Sequence, residues 1–319
     1  MTYKTRFAPS PTGYLHLGSA RTTLFTVLFS KTNEGTWFIR IEDTDQNRLI
    51  PDAFVNLMSV LEDLGLVADE GVTLERRGEF DSFYSLYQDG DYGPYIQSQR
   101  KGIHQQHAQK LLDRGLAYWD FLSSEERSTL QELKQATKQP INYYKNNLEK
   151  CGSQITSLSV ADALQDSRKP ALRFRLQRDT KLVTNDLLMG SSEFDLNLEE
   201  DPIFLKSDGF PSYHLAHLVD DHLMQTTHVI RGQEWYPSLP LHTQMYIDYW
   251  GAALNYIHLP YILGEQGNKK MSKRDGNVNI QDYLDQGYLP EAIINYLAFL
   301  GWNPGTEKEL YLDVTNFRN

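Results

Sequence analysis

The spacing of apolar positions changes along the chain, and each change marks a predicted element. Residues 3–8 read as a short strand, and "TWFIRIE" at residues 36–42 reads as a buried one. Between them, residues 19–31 carry Leu24, Phe25, Leu28 and Phe29 at helical spacing, which predicts a helix with that face turned inward. "PDAFVNLMSVLEDLG", residues 51–65, predicts a second helix, with proline near its start and glycine at its end. Strand, helix, strand, helix in that order implies a parallel sheet with crossover helices, an α/β class.

From about residue 70 to about residue 205 the alternation is interrupted. Helices are predicted over 97–115 and 124–138, with short strands such as "ALRFRL" at 171–176, among loops rich in Asn, Gln, Ser and Asp. Alternation then resumes with "PIFLK", "PSYHLAHLVDDHLM", "THVIRG" and a helix over 237–250. The sequence thus predicts one sheet domain divided by a long mixed insert. Beyond Gly264, "EQGNKKMSKRDGN" reads as a glycine-containing basic loop, and helices are predicted over 280–286 and 290–300.

Composition narrows the picture. A chain of 319 residues can bury a sizeable core and divide into two or three domains. Its formal charge of -11 argues against holding nucleic acid by bulk positive charge, although a local basic surface can coexist with an acidic remainder. Cys151 is the single cysteine, so no intrachain disulfide and no cysteine-based zinc cluster can form, as suits a cytoplasmic protein. No secretory signal and no membrane span are predicted.

"RFAPSPTGYLHLGSAR", from Arg6 to Arg21, crowds two prolines, two glycines and a histidine between a strand and a helix. A strand running through a stiff turn into a helix N-terminus makes an anion site, because free N–H groups and the helix dipole converge there. Pro9 and Pro11 restrict the turn, Gly13 and Gly18 permit close approach, and His16 can donate to a phosphate oxygen. A tight turn with a satisfied histidine is the competing reading. The remote cluster "KKMSKR", residues 269–274, supplies what a developing phosphate charge needs: a movable cation, Lys273, beside Ser272. Taken alone it would be a solvated charged loop.

"HLGS" together with "KMSKR", on a divided nucleotide-binding sheet, resembles the class I aminoacyl-tRNA synthetases. "RFAPSPTGYLHLGSAR", "IEDTD", "YHLAHLVDDHLM" and "HVIRGQEW" are similar to the glutamyl branch, and the resemblance runs from Thr5 to about Gly305. Two departures stand out. Ser19 occupies the place where the superfamily signature ends in histidine, as is usual in the glutamyl branch, and His217 stands where relatives often carry asparagine.

The resemblance implies activation of glutamate with ATP to glutamyl-adenylate, followed by transfer to the 3′ end of tRNA. Positioning and charge stabilisation carry such a phosphoryl-type step, and no enzyme nucleophile is needed. It implies His16 and Lys273 as the catalytic pair, with Thr12, Gly18, Lys270, Ser272 and Arg274 in the ATP site. Mg2+ would arrive with the phosphates, and no protein-bound zinc is expected. Arg6 and Arg231 would grip the glutamate side chain, with Tyr213, His217, Ala8, Ser10 and Glu42 around it. Each arginine has structural ion pairing as its alternative, and Glu42 could instead cap a turn. The acids of "VDDH" read as support for the fold rather than as metal ligands. Arg173 and Arg175 in the insert, on one strand face, would meet tRNA or simply be solvated.

By the same resemblance the chain divides into a Rossmann-like half over 1–80, an acceptor-binding insertion over 81–200, the second Rossmann-like half over 201–255, and the basic loop with the start of a helical stem-contact region over 256–319. The anticodon-binding domain is expected to be absent and the protein monomeric. A paralogue that glutamylates a tRNA base, a glutaminyl-tRNA synthetase, a small-molecule nucleotidyltransferase and a non-catalytic tRNA-binding module are the competing readings.

Overall fold

Strand β1 (Lys4–Phe7) is buried along its whole length and starts a sheet of order β1-β2-β3-β4. β2 (Thr36–Ile39) pairs with it in parallel, from Lys4 opposite Thr36 to Phe7 opposite Ile39. β3 (Glu70–Arg76) runs parallel to β2, and β4 (Tyr84–Asp89) closes the edge as an antiparallel hairpin. The computed structural model describes residues 2–50, 52–76, 84–122, 124–138, 170–178, 181–264, 279–303 and 305. Lys270, Ser272, Lys273 and Arg274 of the basic loop lie outside the described residues.

The crossover from β1 to β2 is helix α1 (Leu17–Thr32), and α2 (Ala53–Asp63) joins β2 to β3. The face of α1 differs from the predicted one. Leu17, Ala20, Leu24 and Val27 are its fully buried apolar positions, while Phe25, Leu28 and Phe29 are only partly covered. Polar residues join the buried side because their hydroxyls bond back to the helix: Thr26 donates to Thr22 O at 2.8 Å and Ser30 to Val27 O at 2.9 Å. Such residues read as solvent-facing in a pattern that counts only apolar side chains.

A second region contains α3 (Lys101–Asp113), β5 (Ala117–Asp120), α4 (Ser124–Thr137) and β6 (Ala171–Phe174). The hairpin β7 (Lys181–Asp186) and β8 (Gly190–Asp195) follows, then β9 (Ile203–Leu205). β5, β6 and β9 form an antiparallel three-stranded sheet. The β7–β8 hairpin instead joins β11 (Asn255–Leu259) and β10 (His228–Gly232), giving the order β10-β11-β7-β8. Thr227 N donates to Lys4 O at 2.9 Å and Lys4 N to Thr227 Oγ1 at 2.8 Å, which lays the start of β10 beside β1.

Helix α5 (Tyr213–Leu223) precedes β10, and α6 (Leu239–Trp250) links β10 to β11. The remaining helices, α7 (Ile280–Asp285) and α8 (Pro290–Phe299), return to the first sheet, where Ile293, Leu297 and Ala298 share a core with Leu17, Ala20 and Leu24. A separate core gathers Leu111, Leu172, Phe204, Leu218 and Met245.

One glycine is obligatory in the first sheet. Gly71 has φ +106, and a Cβ there would run into the Ile39 backbone across the β2–β3 pair. Gly71→Ala should cost more than about 2 kcal/mol, through both strain and lost pairing. A urea melt with an unchanged midpoint would contradict this packing.

Candidate active site

Five sequence-predicted residues converge where β1 and β10 end. Arg6 is next to last in β1 and is 4% exposed; its Nε donates to Asp221 Oδ1 at 3.0 Å and Oδ2 at 3.2 Å. Arg40, just past β2, donates from Nη1 to the same Oδ1 at 2.6 Å and from Nη2 to Glu42 Oε1 at 2.9 Å. Asp221 sits on α5, one turn beyond His217, whose Nδ1 lies 2.5 Å from Asp221 Oδ2. Burial alone would raise the Asp221 carboxyl; Arg40, Arg6 and His217 outweigh that and hold it well below the usual range. Glu42 goes the other way, raised by burial despite Arg40 and Arg6.

Arg231 has a different environment. It lies on β10, 5% exposed, among groups that carry no negative charge. Its Nε donates to His258 Nε2 at 2.8 Å, its Nη1 to His242 Nδ1 at 3.0 Å and to Tyr213 OH at 3.3 Å, and its Nη2 to Trp235 O at 3.3 Å. The guanidinium also lies over the Tyr256 ring, 4.9 Å from its centroid. No carboxylate among the described residues forms an ion pair with Arg231, in contrast to Arg6 and Arg40. Taking a guanidinium out of water without a counter-ion is costly, so such a residue is a ready site for an anion.

Tyr213 and His217 stack at 5.6 Å with their planes 4° apart and connect the two arginines. His217 is fully buried, and its Nε2 lies 2.9 Å from Tyr256 OH, so both ring nitrogens face protein partners. Ala8 and Ser10 lie in the loop after β1, where Glu42 N donates to Pro9 O at 2.9 Å and Thr12 N to Ser10 O at 2.8 Å. This pins "IEDTD" against "APSPTG".

His16 caps α1: its Nδ1 accepts from Ser19 N at 3.2 Å, and Ser19 Oγ lies 2.9 Å from its Nε2. The ring folds over Gly18, where a Cβ would stand 3.1 Å from His16 Cε1. Gly18 therefore makes room for the histidine itself, a constraint the sequence did not reveal. Arg173 lies on β6, opposite Tyr118 of β5, and Arg175 follows directly after β6. Arg173 Nε donates to Asp120 Oδ2 at 2.5 Å and its Nη1 to Asp201 O at 2.5 Å, while the exposed Arg175 sits 5.1 Å from the Tyr118 ring centroid.

Sequence reasoning missed Arg40, His242, His258 and Asp186. Arg40 follows a buried strand, which was the available hint. The two histidines carry no motif, and only the fold brings them to Arg231. The acids of "VDDH" anchor the site: Asp220 accepts from Arg100, His104 and Gln97 at 2.7, 2.9 and 2.9 Å, and Asp221 from the arginines above.

The family model described as tRNA synthetases class I (E and Q), catalytic domain, matches residues 2–316. The chain belongs to that family. A glutamate–tRNA ligase of Alkaliphilus metalliredigens is 40% identical over 308 residues, covering 97% of this chain and 60% of the relative. One of Clostridioides difficile is 40% identical over 313 residues, covering 98% and 61%. The crystal structure of a glutamate tRNA ligase from Elizabethkingia meningosepticum in complex with its amino acid superposes with a TM-score of 0.83 at 33% identity, covering 98% of this chain and 63% of that one. This synthetase-family chain thus spans about 60% of the length of the curated relatives it matches. Among its described residues no helix is long and apolar enough to cross a membrane.

The imidazoles of the site make stability pH-dependent. Burial pushes His214, His217 and His258 down to about 4, and His242 well below its usual value. The unfolded chain binds protons on these rings near pH 6.5, the folded protein only near 4, so stability rises with pH across that window. Asp221 acts below it, because its depressed carboxyl keeps its contribution until the pH falls beneath the unfolded value. The melting temperature should fall steadily from pH 7 to pH 5. A flat profile across that interval would show that the histidines are not buried as neutral rings.

Proposed function

We propose that the protein is a glutamate–tRNA ligase, or its catalytic portion. The observation that carries this is Arg231, a buried guanidinium held by neutral acceptors beside Arg6, in a family of E and Q synthetases. A side-chain carboxylate would neutralise Arg231 and pair with its fork, whereas glutamine would bring N–H groups against N–H groups. Tyr213 donates or accepts at the rim, and Trp235, tilted over Tyr213 at 4.4 Å, walls the pocket. Glu42 serves the substrate amino group, with Ala8, Ser10 and His217 completing the surroundings.

Glutamate is then activated by attack of its α-carboxylate on the α-phosphate of ATP, with pyrophosphate leaving. The exposed His16 at the start of α1, where the helix dipole favours an anion, suits a phosphate. Thr12 and Gly18 belong to that ATP site, and Lys270, Ser272, Lys273 and Arg274 supply its basic side. Mg2+ accompanies the phosphates. β5 and β6 belong to a tRNA acceptor-binding insertion over residues 81–200 that divides the Rossmann-like domain, and α7 and α8 open a stem-contact region. Arg175 offers an exposed cation for the tRNA backbone, while Arg173 braces it from its pair with Asp120. The protein acts as a cytoplasmic monomer in this reading.

ATP–pyrophosphate exchange with glutamate, run with and without total tRNA, tests the proposal. Exchange or charging with glutamate and none with glutamine is expected; silence with glutamate in both conditions would refute it. Lys273→Ala should lower adenylate formation by roughly 10²–10³. Arg231→Gln should raise the KM for glutamate far more than that for ATP; equal effects on both would count against the assignment.

A further inference from the structure

The acceptors around Arg231 are arranged in two relays. Because Arg231 Nε can only donate, His258 Nε2 must be the bare nitrogen, so His258 Nδ1–H donates to Asp186 Oδ2 at 2.7 Å. Likewise Arg231 Nη1 can only donate, so His242 Nδ1 is bare and its Nε2–H donates to His214 Nδ1 at 3.0 Å. Both rings are fully buried, and each is fixed in one tautomer by the group behind it. Asp186 is itself fixed by the backbone N–H groups of Leu188, Met189 and His258, at 2.9, 2.7 and 3.1 Å.

A carboxylate in either place would orient the guanidinium as well, but it would also discharge it. An imidazole accepts a hydrogen bond without neutralising the charge. The contacts to His258, His242, Tyr213 and Trp235 occupy four of the five N–H bonds a guanidinium has, and leave one on Nη2 together with the whole positive charge. We propose that His258 and His242, backed by Asp186 and His214, are positioning residues that fix the Arg231 fork in one orientation while leaving its charge uncompensated for the carboxylate of an acidic substrate. This rests on the reading of Arg231 as the side-chain site of the amino acid.

The charge of the acceptor is the distinguishing variable, so substitutions at position 258 separate this role from simple packing. Gln keeps a neutral acceptor near the place of Nε2. Glu keeps the acceptor and adds a charge. Asn keeps a donor toward Asp186 and offers Arg231 nothing. In each, Asp186 retains its backbone donors. Titration calorimetry of L-glutamate and of ATP, with thermal melting as the control for folding, reads the result on the 319-residue chain.

His258→Gln should bind glutamate within about threefold of the wild type, His258→Asn about 10- to 100-fold more weakly, and His258→Glu more weakly still, all with ATP affinity unchanged. A packing role would instead lower the melting temperature and weaken both ligands together. If His258→Asn binds glutamate like the wild type while Arg231→Gln does not, the relay proposal is wrong and the reading of Arg231 stands. If Arg231→Gln changes nothing, or the wild type binds no glutamate, that reading fails and the relay falls with it. Should His258→Glu not fold, the comparison of Gln with Asn still decides.

Discussion

A buried guanidinium has to be given acceptors, and how that demand is met organises this protein. Three arginines lie within the pocket region, and the chain treats them in two ways. Arg6 and Arg40 share Asp221, with Glu42 as a further partner of Arg40. Arg231 receives imidazole nitrogens, a tyrosine hydroxyl and a main-chain carbonyl. The first arrangement locks strand β1 to helix α5. The second preserves a positive charge in a place where water is largely excluded, so an entering anion meets a strong, poorly screened partner.

The rest of the architecture serves that contrast. Parallel strands bring Arg6 and Arg231 to one region, because β10 starts beside β1 and both run to the same edge. Helix α5 passes beneath with Tyr213, His217 and Asp221 on its buried side. The β7–β8 hairpin, although it arises within the insert region, pairs with β11 and so delivers Asp186 to His258. Helix α6 supplies His242. Elements distant in the chain thus each contribute one polar group to a site that none could form alone.

Much of this was legible in the sequence. The β1–α1–β2–α2 order, the second alternation around "VIRG", and the arginines at strand ends follow from period and motif. The hairpin β7–β8 was harder, because its residues are polar or exposed: Val183 on β7 is 59% exposed and Leu187 in its turn 58%. The inward face of α1 was misjudged because threonine and serine satisfy themselves on the helix backbone and can then be buried. His242, His258 and Asp186 were invisible for a different reason. A neutral histidine accepting from an arginine leaves no spacing rule, since the two meet only through tertiary structure. The basic loop with Lys273 is the converse case, plain in the sequence and outside the described residues.

The most direct measurement is diffraction from crystals of the chain grown with L-glutamate. The account expects the side-chain carboxylate within hydrogen-bonding distance of Arg231 Nη2, with the His258 and His242 contacts to that guanidinium kept. Density for the ligand elsewhere, or a guanidinium turned away from both imidazoles to reach it, would contradict the claim that neutral acceptors hold Arg231 ready for an anion.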